Sequence, residues 1–334
     1  MKTIVCHEPG VMTLEKVKNP SLMKQDSVKI AIKRIGICGT DLHAYAGNQP
    51  FFDYPRILGH ELAGVVVEKG AHVSNVEIGD IVTVIPYIHC GTCISCRSGK
   101  TNCCTQMQVL GVHIDGGMCE ELIVPSSYVI STQTTLDEAS IIEPLSIGAH
   151  AVRRAQIQQG ETVLIIGAGP IGLGVAAFAK EKGAKTILLD LNEERLRFAK
   201  DWAHADEVLL PSEDNECSLR GLNNDELPTI VFDATGNQNS MTEAFKWVAH
   251  GGKLVYVGLV KEHITFFDPD FHARELTLFA SRNATKEDFD TVMAALSSKK
   301  IDANAYITKR ITFEETITYF NDKNYQTNKA VICL

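Results

Sequence analysis

Four cysteines, Cys90, Cys93, Cys96 and Cys104, stand in the spacing C-x2-C-x2-C-x7-C within the run CGTCISCRSGKTNCC. Four thiols in one short glycine-containing loop can surround a single tetrahedral zinc, whereas strain limits how many of them could pair as disulfides. Cys103 lies beside Cys104, and the spacing favours Cys104 as the fourth ligand. A closed four-thiolate site has no open coordination position, so it would hold a lobe in place without doing chemistry. A redox or disulfide loop is the competing reading, and it is the rarer use of such a cluster in a reducing compartment.

A second set is more dispersed. The runs GICGTDLHAYAG (36–47) and LGHELAG (58–64) place a cysteine, two histidines and two acids near expected strand ends. Cys38 and His60 can give a thiolate and an imidazole to another zinc, and Glu143, in the run IIEPLSIGAH, can add a carboxylate. Three protein ligands with a fourth position open is what a catalytic zinc requires. Glu61, adjacent to His60, could replace water on the metal transiently or stand behind the ligands. Asp41 could orient a ligand histidine through its free ring N–H. Singly, each such residue is more often part of a core; the combination is what counts.

The third set binds phosphate. Gly167, Ala168, Gly169, Pro170, Ile171 and Gly172 follow the apolar run VLII and open an expected helix. Gly167 would make the tight turn, Gly169 would let the backbone approach a pyrophosphate, and Gly172 would let helix and strand pack closely. The helix N-terminus supplies free N–H groups for the phosphates. Asp190 ends the next strand, eighteen residues beyond Gly172, where its carboxylate would accept ribose hydroxyls and repel a 2′-phosphate, which favours NAD over NADP. Arg195 on the following helix keeps NADP open. Gly236 and Gly258, at later strand ends, read either as close approaches to the nicotinamide half or as plain turn glycines.

These residues need a scaffold. Short β-like runs at 27–35, 62–68, 81–86 and 120–124, separated by turn residues, predict a mainly antiparallel β domain. Helical spacing sets in over 138–155, and alternating strands and helices follow: strands at 161–166, 186–189, 230–233, 254–257 and 276–280 predict a doubly wound parallel sheet. The fold class is therefore α/β with two domains: a first domain over 1–146, a dinucleotide-binding domain over 147–281, and a segment over 282–334 that returns to the first. The 334 residues, 45% hydrophobic, can bury cores of that size.

The formal net charge of −9 offers no basic face for nucleic acid or anionic lipid. The start, MKTIVCHEPGV, does not read as a signal peptide, and the uncharged run 162–179 reads as strand, turn and helix rather than a membrane span. Ten cysteines then imply a reducing, cytoplasmic setting, with Cys6, Cys119, Cys217 and Cys333 as small buried residues.

With the stretch GHELAGVVVEKGAHV (59–73), the four-cysteine lobe and GAGPIG in this order, the chain resembles the zinc-dependent medium-chain alcohol dehydrogenase family over essentially its whole length. The resemblance implies a GroES-like β domain plus a Rossmann domain, two zinc ions per subunit and NAD. It implies Cys38, His60 and Glu143 as catalytic zinc ligands with Glu61 close by, and Cys90, Cys93, Cys96 and Cys104 around the structural zinc. Thr40 and His43 look like the proton relay. Members acting on simple alcohols carry a cysteine where Glu143 stands; the polyol and threonine dehydrogenase branch carries glutamate. Sorbitol dehydrogenases have tyrosine directly after the relay histidine, where this chain has Ala44 followed by Tyr45. The runs LGVHIDGGMCEEL (110–122) and FASRNATKEDF (279–289) look most like the L-galactonate and L-gulonate 5-dehydrogenase branch. The expected activity is hydride transfer from a secondary alcohol of a polyol or sugar acid to NAD, with His113, Arg282 and Asn283 toward the substrate. L-Threonine 3-dehydrogenase, a sorbitol- or xylitol-type dehydrogenase, and a catalytically idle NAD(H)-sensing regulator are the rival readings. A homodimer or homotetramer, with no nucleic-acid or membrane partner, is expected.

Overall fold

The structure is a computed structural model that describes residues 1–21, 24–50, 52–322 and 328–334. The chain forms two compact units, Met1–Pro144 with Thr285–Leu334, and Leu145–Ala284. The first is built on a mostly antiparallel seven-stranded sheet, the GroES-like β architecture. Its central strand, Ser27–Gly36, alternates strongly: Val28, Ile30 and Ile32 point into the core. Two bulges in its pairing with Glu61–Lys69 adjust the register, so that Ile35 faces Leu62 and Gly36 faces Glu61. On the other side it pairs with Glu121–Pro125 and then with the terminal strand Ala330–Cys333, whose Val331 lies opposite Gly36. The end of the central strand is thereby flanked by Glu61 and by the chain's C-terminus.

The second unit is a six-stranded parallel sheet of the Rossmann type. Its order is Glu207–Leu209, Lys185–Leu189, Thr162–Ile166, Ile230–Asp233, Lys253–Tyr256, Thr277–Ala280. The chain begins in the third of these strands, winds to one edge and then returns to build the other half. The order therefore reverses between Thr162–Ile166 and Ile230–Asp233, the switch point at which such sheets open a ligand crevice. Thr162–Ile166 is buried along its length, as a central parallel strand covered on both faces must be.

Three sequence expectations change. The helical run at 138–155 is two helices, Leu136–Ser140 and Ile142–Ala155. Pro144 has no N–H and is tolerated only in a helix's first turn, so the second helix starts just before it. Cys217 is exposed and Cys333 half-buried, whereas Cys6 and Cys119 are buried as expected. Cys217 lies on the short helix Asn215–Leu222, whose inward residue is Leu219. Two positions away on a helix is nearly the opposite face.

Asp137 ties the first unit's chain segments together. Its carboxylate accepts from Arg34 Nε at 2.6 Å and from Arg310 Nη2 at 2.7 Å, joining the central strand to the C-terminal strand Lys309–Thr312. Burial raises the carboxyl, but hydrogen bonds from the two guanidinium groups outweigh that and hold it below its ordinary value. A carboxyl depressed in the folded state stabilises fully above its unfolded pKa and loses that contribution as pH falls through the folded one. We expect Asp137→Asn to cost about 1–3 kcal/mol in urea unfolding at pH 7, with the difference from wild type shrinking below about pH 4. An equal deficit at pH 7 and pH 3 would contradict this.

Candidate active site and metal centres

The four-thiol loop is folded around its own sulfurs. Cys93 precedes the short helix Ile94–Arg97, and Cys104 follows the turn Thr101–Cys103. The four sulfurs all lie within 4.8 Å of one another, with Cys93–Cys96 at 3.4 Å and Cys90–Cys104 at 3.5 Å. A tetrahedral zinc with Zn–S of about 2.3 Å needs S–S edges of about 3.8 Å. Backbone N–H groups already point at the thiols, Cys93 at Cys90 Sγ (3.4 Å) and Gln106 at Cys104 Sγ (3.3 Å). A hydrogen bond from Thr92 brings Cys90 down to about 7, backbone donation at Cys96 brings Cys93 to about 5, and burial sends Cys96 up to about 12. Donors aimed at sulfur favour thiolates, and adjacent thiolates need a cation. The residues fit a closed zinc site. Cys103 is exposed and takes no part in the group.

The second cluster grows from the end of the central strand. Cys38 caps the helix Gly39–Tyr45 in extended backbone, and Asp41 Oδ2 in the first turn accepts from the Cys38 N–H at 3.0 Å. Asp41 Oδ1 accepts from the Gly59 N–H at 3.1 Å and stands 3.6 Å from His60 Nδ1. One fully buried carboxylate thus joins both ligand-bearing segments and faces one side of the His60 ring, leaving the other ring nitrogen for a metal. Ligand atoms of Cys38, His60 and Glu61 lie within 4.8 Å of one another. Glu143 stands outside that trio. It is buried in the first turn of its helix and accepts a hydrogen bond from the Tyr87 hydroxyl.

Glu61 reaches the cluster because Gly36 faces it in the ladder: a Cβ there would overlap the Glu61 side chain. Its carboxylate is in turn ion-paired with Lys329, which is equally buried and also donates to the Ile37 carbonyl at 3.1 Å. Burial opposes charge on both His60 and Lys329. The negative groups outweigh it, Asp41 and Cys38 lifting His60 well above its ordinary value and Glu61 and Cys38 raising Lys329. Glu143 is pushed up to about 7 by burial, against the pull of His60 and with the push of Glu61. Three buried carboxylates face one buried ammonium among the described residues. Carboxylates, a thiol and an imidazole gathered at one buried place are a donor set that fits a divalent cation.

The glycine loop has the geometry of a phosphate cradle. Gly167 sits at φ +97°, a conformation that favours glycine, and a Cβ on Gly172 would collide with its carbonyl. A Cβ on Gly169 would meet nothing within 4 Å, so the loop's outer side is open to a ligand. The twelve-residue helix Pro170–Glu181 begins without a side-chain cap, with Pro170 in its first turn and Ile171 half-buried next to it. Asp190 has a structural task too: its two oxygens accept from the Ala168 N–H at 2.7 Å and the Asn192 N–H at 2.8 Å. Each oxygen keeps a lone pair for a ribose hydroxyl. Arg195 is half-buried on the helix Glu193–Trp202. Gly236, at φ +63°, and Gly258 press their backbones together, so both are needed for the close approach of two strand-end loops.

The relay candidates share one helix, Thr40 half-buried and His43 exposed three residues on. Of the substrate candidates, His113 belongs to the first unit, where its Nδ1 accepts from the Val109 N–H at 3.0 Å. Arg282 is exposed, and Asn283, at φ +52°, keeps a buried Nδ2 without a hydrogen-bond partner; both are in the second unit. Sequence reasoning missed Lys329 and Tyr87. A lysine at the start of a terminal strand reads as a solubilising edge charge, and nothing near Tyr87 marks it.

Comparison with known proteins agrees with this architecture. Residues 24–134 match the alcohol dehydrogenase GroES-like domain, and residues 170–298 match the zinc-binding dehydrogenase family. The chain is 41% identical to L-galactonate-5-dehydrogenase of Escherichia coli (strain K12), covering 99% of this chain and 97% of that one. It is 33% identical to the starvation-sensing protein RspB of the same strain, over 94% and 93% of the two chains. The crystal structure of the rspB alcohol dehydrogenase from E. coli CFT073 with NADH superposes with a TM-score of 0.92 at 30% identity, covering 100% and 99%. The chain belongs to the zinc-dependent medium-chain alcohol dehydrogenase family. It is a dehydrogenase whose cofactors are zinc and a nicotinamide dinucleotide. No helix among the described residues is long and apolar enough to cross a membrane.

Loss of a ligand from the second cluster should remove one zinc and spare the first. We expect His60→Ala to bind one zinc equivalent in place of two and to lose turnover by roughly three orders of magnitude, as the loss of several kcal/mol of Lewis-acid stabilisation implies. NADH fluorescence titration should show cofactor binding retained. Two zinc equivalents together with full turnover would remove His60 from the ligand set.

Proposed function

We propose that the protein oxidises the C5 hydroxyl of a hexonate, L-galactonate or L-gulonate, to the ketone with NAD as hydride acceptor. The similarity to L-galactonate-5-dehydrogenase over almost the full length of both chains carries the substrate reading. Cys38, His60 and a carboxylate hold the catalytic zinc, while Cys90, Cys93, Cys96 and Cys104 hold the structural one. When bound, zinc lowers the pKa of the substrate hydroxyl and the nicotinamide accepts the hydride.

The chain's residues supply position and a route for the proton. Asp41 fixes the His60 ring. Thr40 receives the hydroxyl proton and His43 delivers it to solvent; three residues apart on a helix, they share a face. Gly167, Gly169, Pro170, Ile171 and Gly172 bring helix N–H groups to the pyrophosphate, and the remaining lone pairs of Asp190 take the adenosine ribose hydroxyls, with Arg195 beside them. Gly236 and Gly258 shape the strand ends toward the nicotinamide half. Arg282, Asn283 and His113 recognise the hexonate carboxylate and hydroxyls, for which a guanidinium fork and an unspent amide donor are suited.

The enzyme acts in the cytoplasm as a homodimer or homotetramer. Strand Thr277–Ala280 ends the parallel sheet with one side unpaired among the described residues, and Leu278 on it is 40% exposed. An open, partly apolar edge strand is a template for pairing with a second copy.

A panel of L-galactonate, L-gulonate, sorbitol, xylitol and L-threonine, each with NAD and with NADP, tests the reading. Expected is a kcat/KM for a hexonate with NAD at least tenfold above every other pairing, abolished by a zinc chelator. Threonine or sorbitol as the best substrate would replace the reading, and cofactor binding without turnover on any member would favour a regulator.

A further inference from the structure

One residue of the second unit joins neighbouring strand ends, and the proposed reaction makes no use of it. Asp233 closes strand Ile230–Asp233, beside the switch point where the sheet order reverses, and it is fully buried. Its carboxylate accepts from the Thr235 N–H at 2.9 Å, from the Thr235 hydroxyl at 2.7 Å, and from the Ser240 hydroxyl. Its carbonyl accepts from the Val257 and Gly258 N–H groups, both at 2.9 Å. All of these donors are neutral, and no cation pairs with Asp233 among the described residues. A carboxylate buried without a counter-ion is costly to keep, so it depends on those donors.

The hydrogen bonds run outward from Asp233 toward the strand ends. Thr235 is exposed, yet its hydroxyl is drawn inward to the carboxylate and also accepts from the Asn237 N–H at 3.1 Å. That fixes the Thr235 side chain and, with it, the direction of its methyl group. The methyl lies against the glycine turn: a Cβ built on Gly167 would stand 3.2 Å from Thr235 Cγ2. Between Thr235 and Asn237 the chain passes through Gly236 at φ +63°, and a Cβ on Gly258 would meet the Gly236 nitrogen at 2.3 Å. Loop 234–237 is thus seated between the Gly167 and Gly258 turns. Asp233 holds the loop by its carboxylate and the Gly258 turn by its carbonyl.

We infer that Asp233 is a positioning residue for the dinucleotide, which through the Thr235 hydroxyl holds loop 234–237 in the shape that admits the pyrophosphate and the nicotinamide half. The inference rests on the assignment of the glycine turn to the cofactor. Asp233 acts through Thr235 and touches neither cofactor nor substrate. Asp190 follows the strand on the other side of Thr162–Ile166, so the adenosine half lies outside the reach of this network.

Binding to the full-length, zinc-loaded protein separates this role from a general loosening of the sheet. NADH is titrated by its fluorescence and 5′-AMP by calorimetry. Asp233→Ala should raise the Kd for NADH by about tenfold or more and leave that for 5′-AMP within about threefold. It should also raise the KM for NAD more than it lowers kcat. Thr235→Val keeps the shape and removes the hydroxyl, and it should weaken NADH binding in the same way. Thr235→Ser keeps the hydroxyl and should stay within about threefold of wild type. An unchanged Kd for NADH in Asp233→Ala, or equal weakening of NADH and 5′-AMP, would overturn the inference. Should Asp233→Ala not fold, the two Thr235 variants decide: a weakened Thr235→Val beside a near-normal Thr235→Ser supports the inference, and like values for both overturn it. A wild-type protein that binds 5′-AMP but not NADH would overturn the placing of the dinucleotide on the glycine turn, and this inference with it.

Discussion

The structure around the second cluster is governed by an imbalance of buried charge. Asp41, Glu61 and Glu143 are withdrawn from water beside a thiol, with Lys329 as their buried ammonium among the described residues. Withdrawing one carboxylate costs several kcal/mol unless it is paired, so three of them beside Lys329 and the lifted imidazole of His60 make a site that favours a further cation. A divalent cation completes it. Much of the local architecture keeps these charges in place: the capping of Cys38 by Asp41, the missing side chain at Gly36, and the return of the C-terminal strand with Lys329.

The same economy runs through the glycine loop. Asp190 binds two backbone N–H groups and so sets the loop's path while keeping lone pairs free. Gly172 is required by the carbonyl of Gly167, Gly258 by the backbone of Gly236, and Gly236 by its positive φ and the Leu259 carbonyl. Of these glycines, Gly169 alone faces open space, and there a side chain would obstruct a ligand and not the protein. A fingerprint usually described through its cofactor is here mostly a statement about how a strand, a turn and a helix pack.

Family and substrate lie on different links of the chain of inference. Zinc and dinucleotide sites are built from short-range features, a spacing of thiols or a turn before a helix, which survive wide divergence. Substrate choice depends on a few side chains on loops, the role proposed above for Arg282, Asn283 and His113, whose surroundings vary within one architecture. That is why full-length similarity to L-galactonate-5-dehydrogenase, and not the fold, carries the hexonate reading.

Local spacing in the sequence determined the four-thiol lobe, the alternation of Ser27–Gly36, the succession of strands and helices behind the parallel sheet, and the glycine turn, because each is written in a pattern of residues close along the chain. It also pointed to Cys38, His60 and Glu61, which sit beside glycines in two short runs. It placed Cys217 in the core wrongly, since composition says nothing about which side of a helix faces inward. Tertiary structure alone decided that Glu61 lies nearer Cys38 and His60 than a ligand set with Glu143 would suggest, and that Lys329, 268 positions further along the chain from Glu61, is its counter-ion. Neither fact has a local signal, because strand register and the pairing of the terminal strand bring those charges together, and only folding sets both.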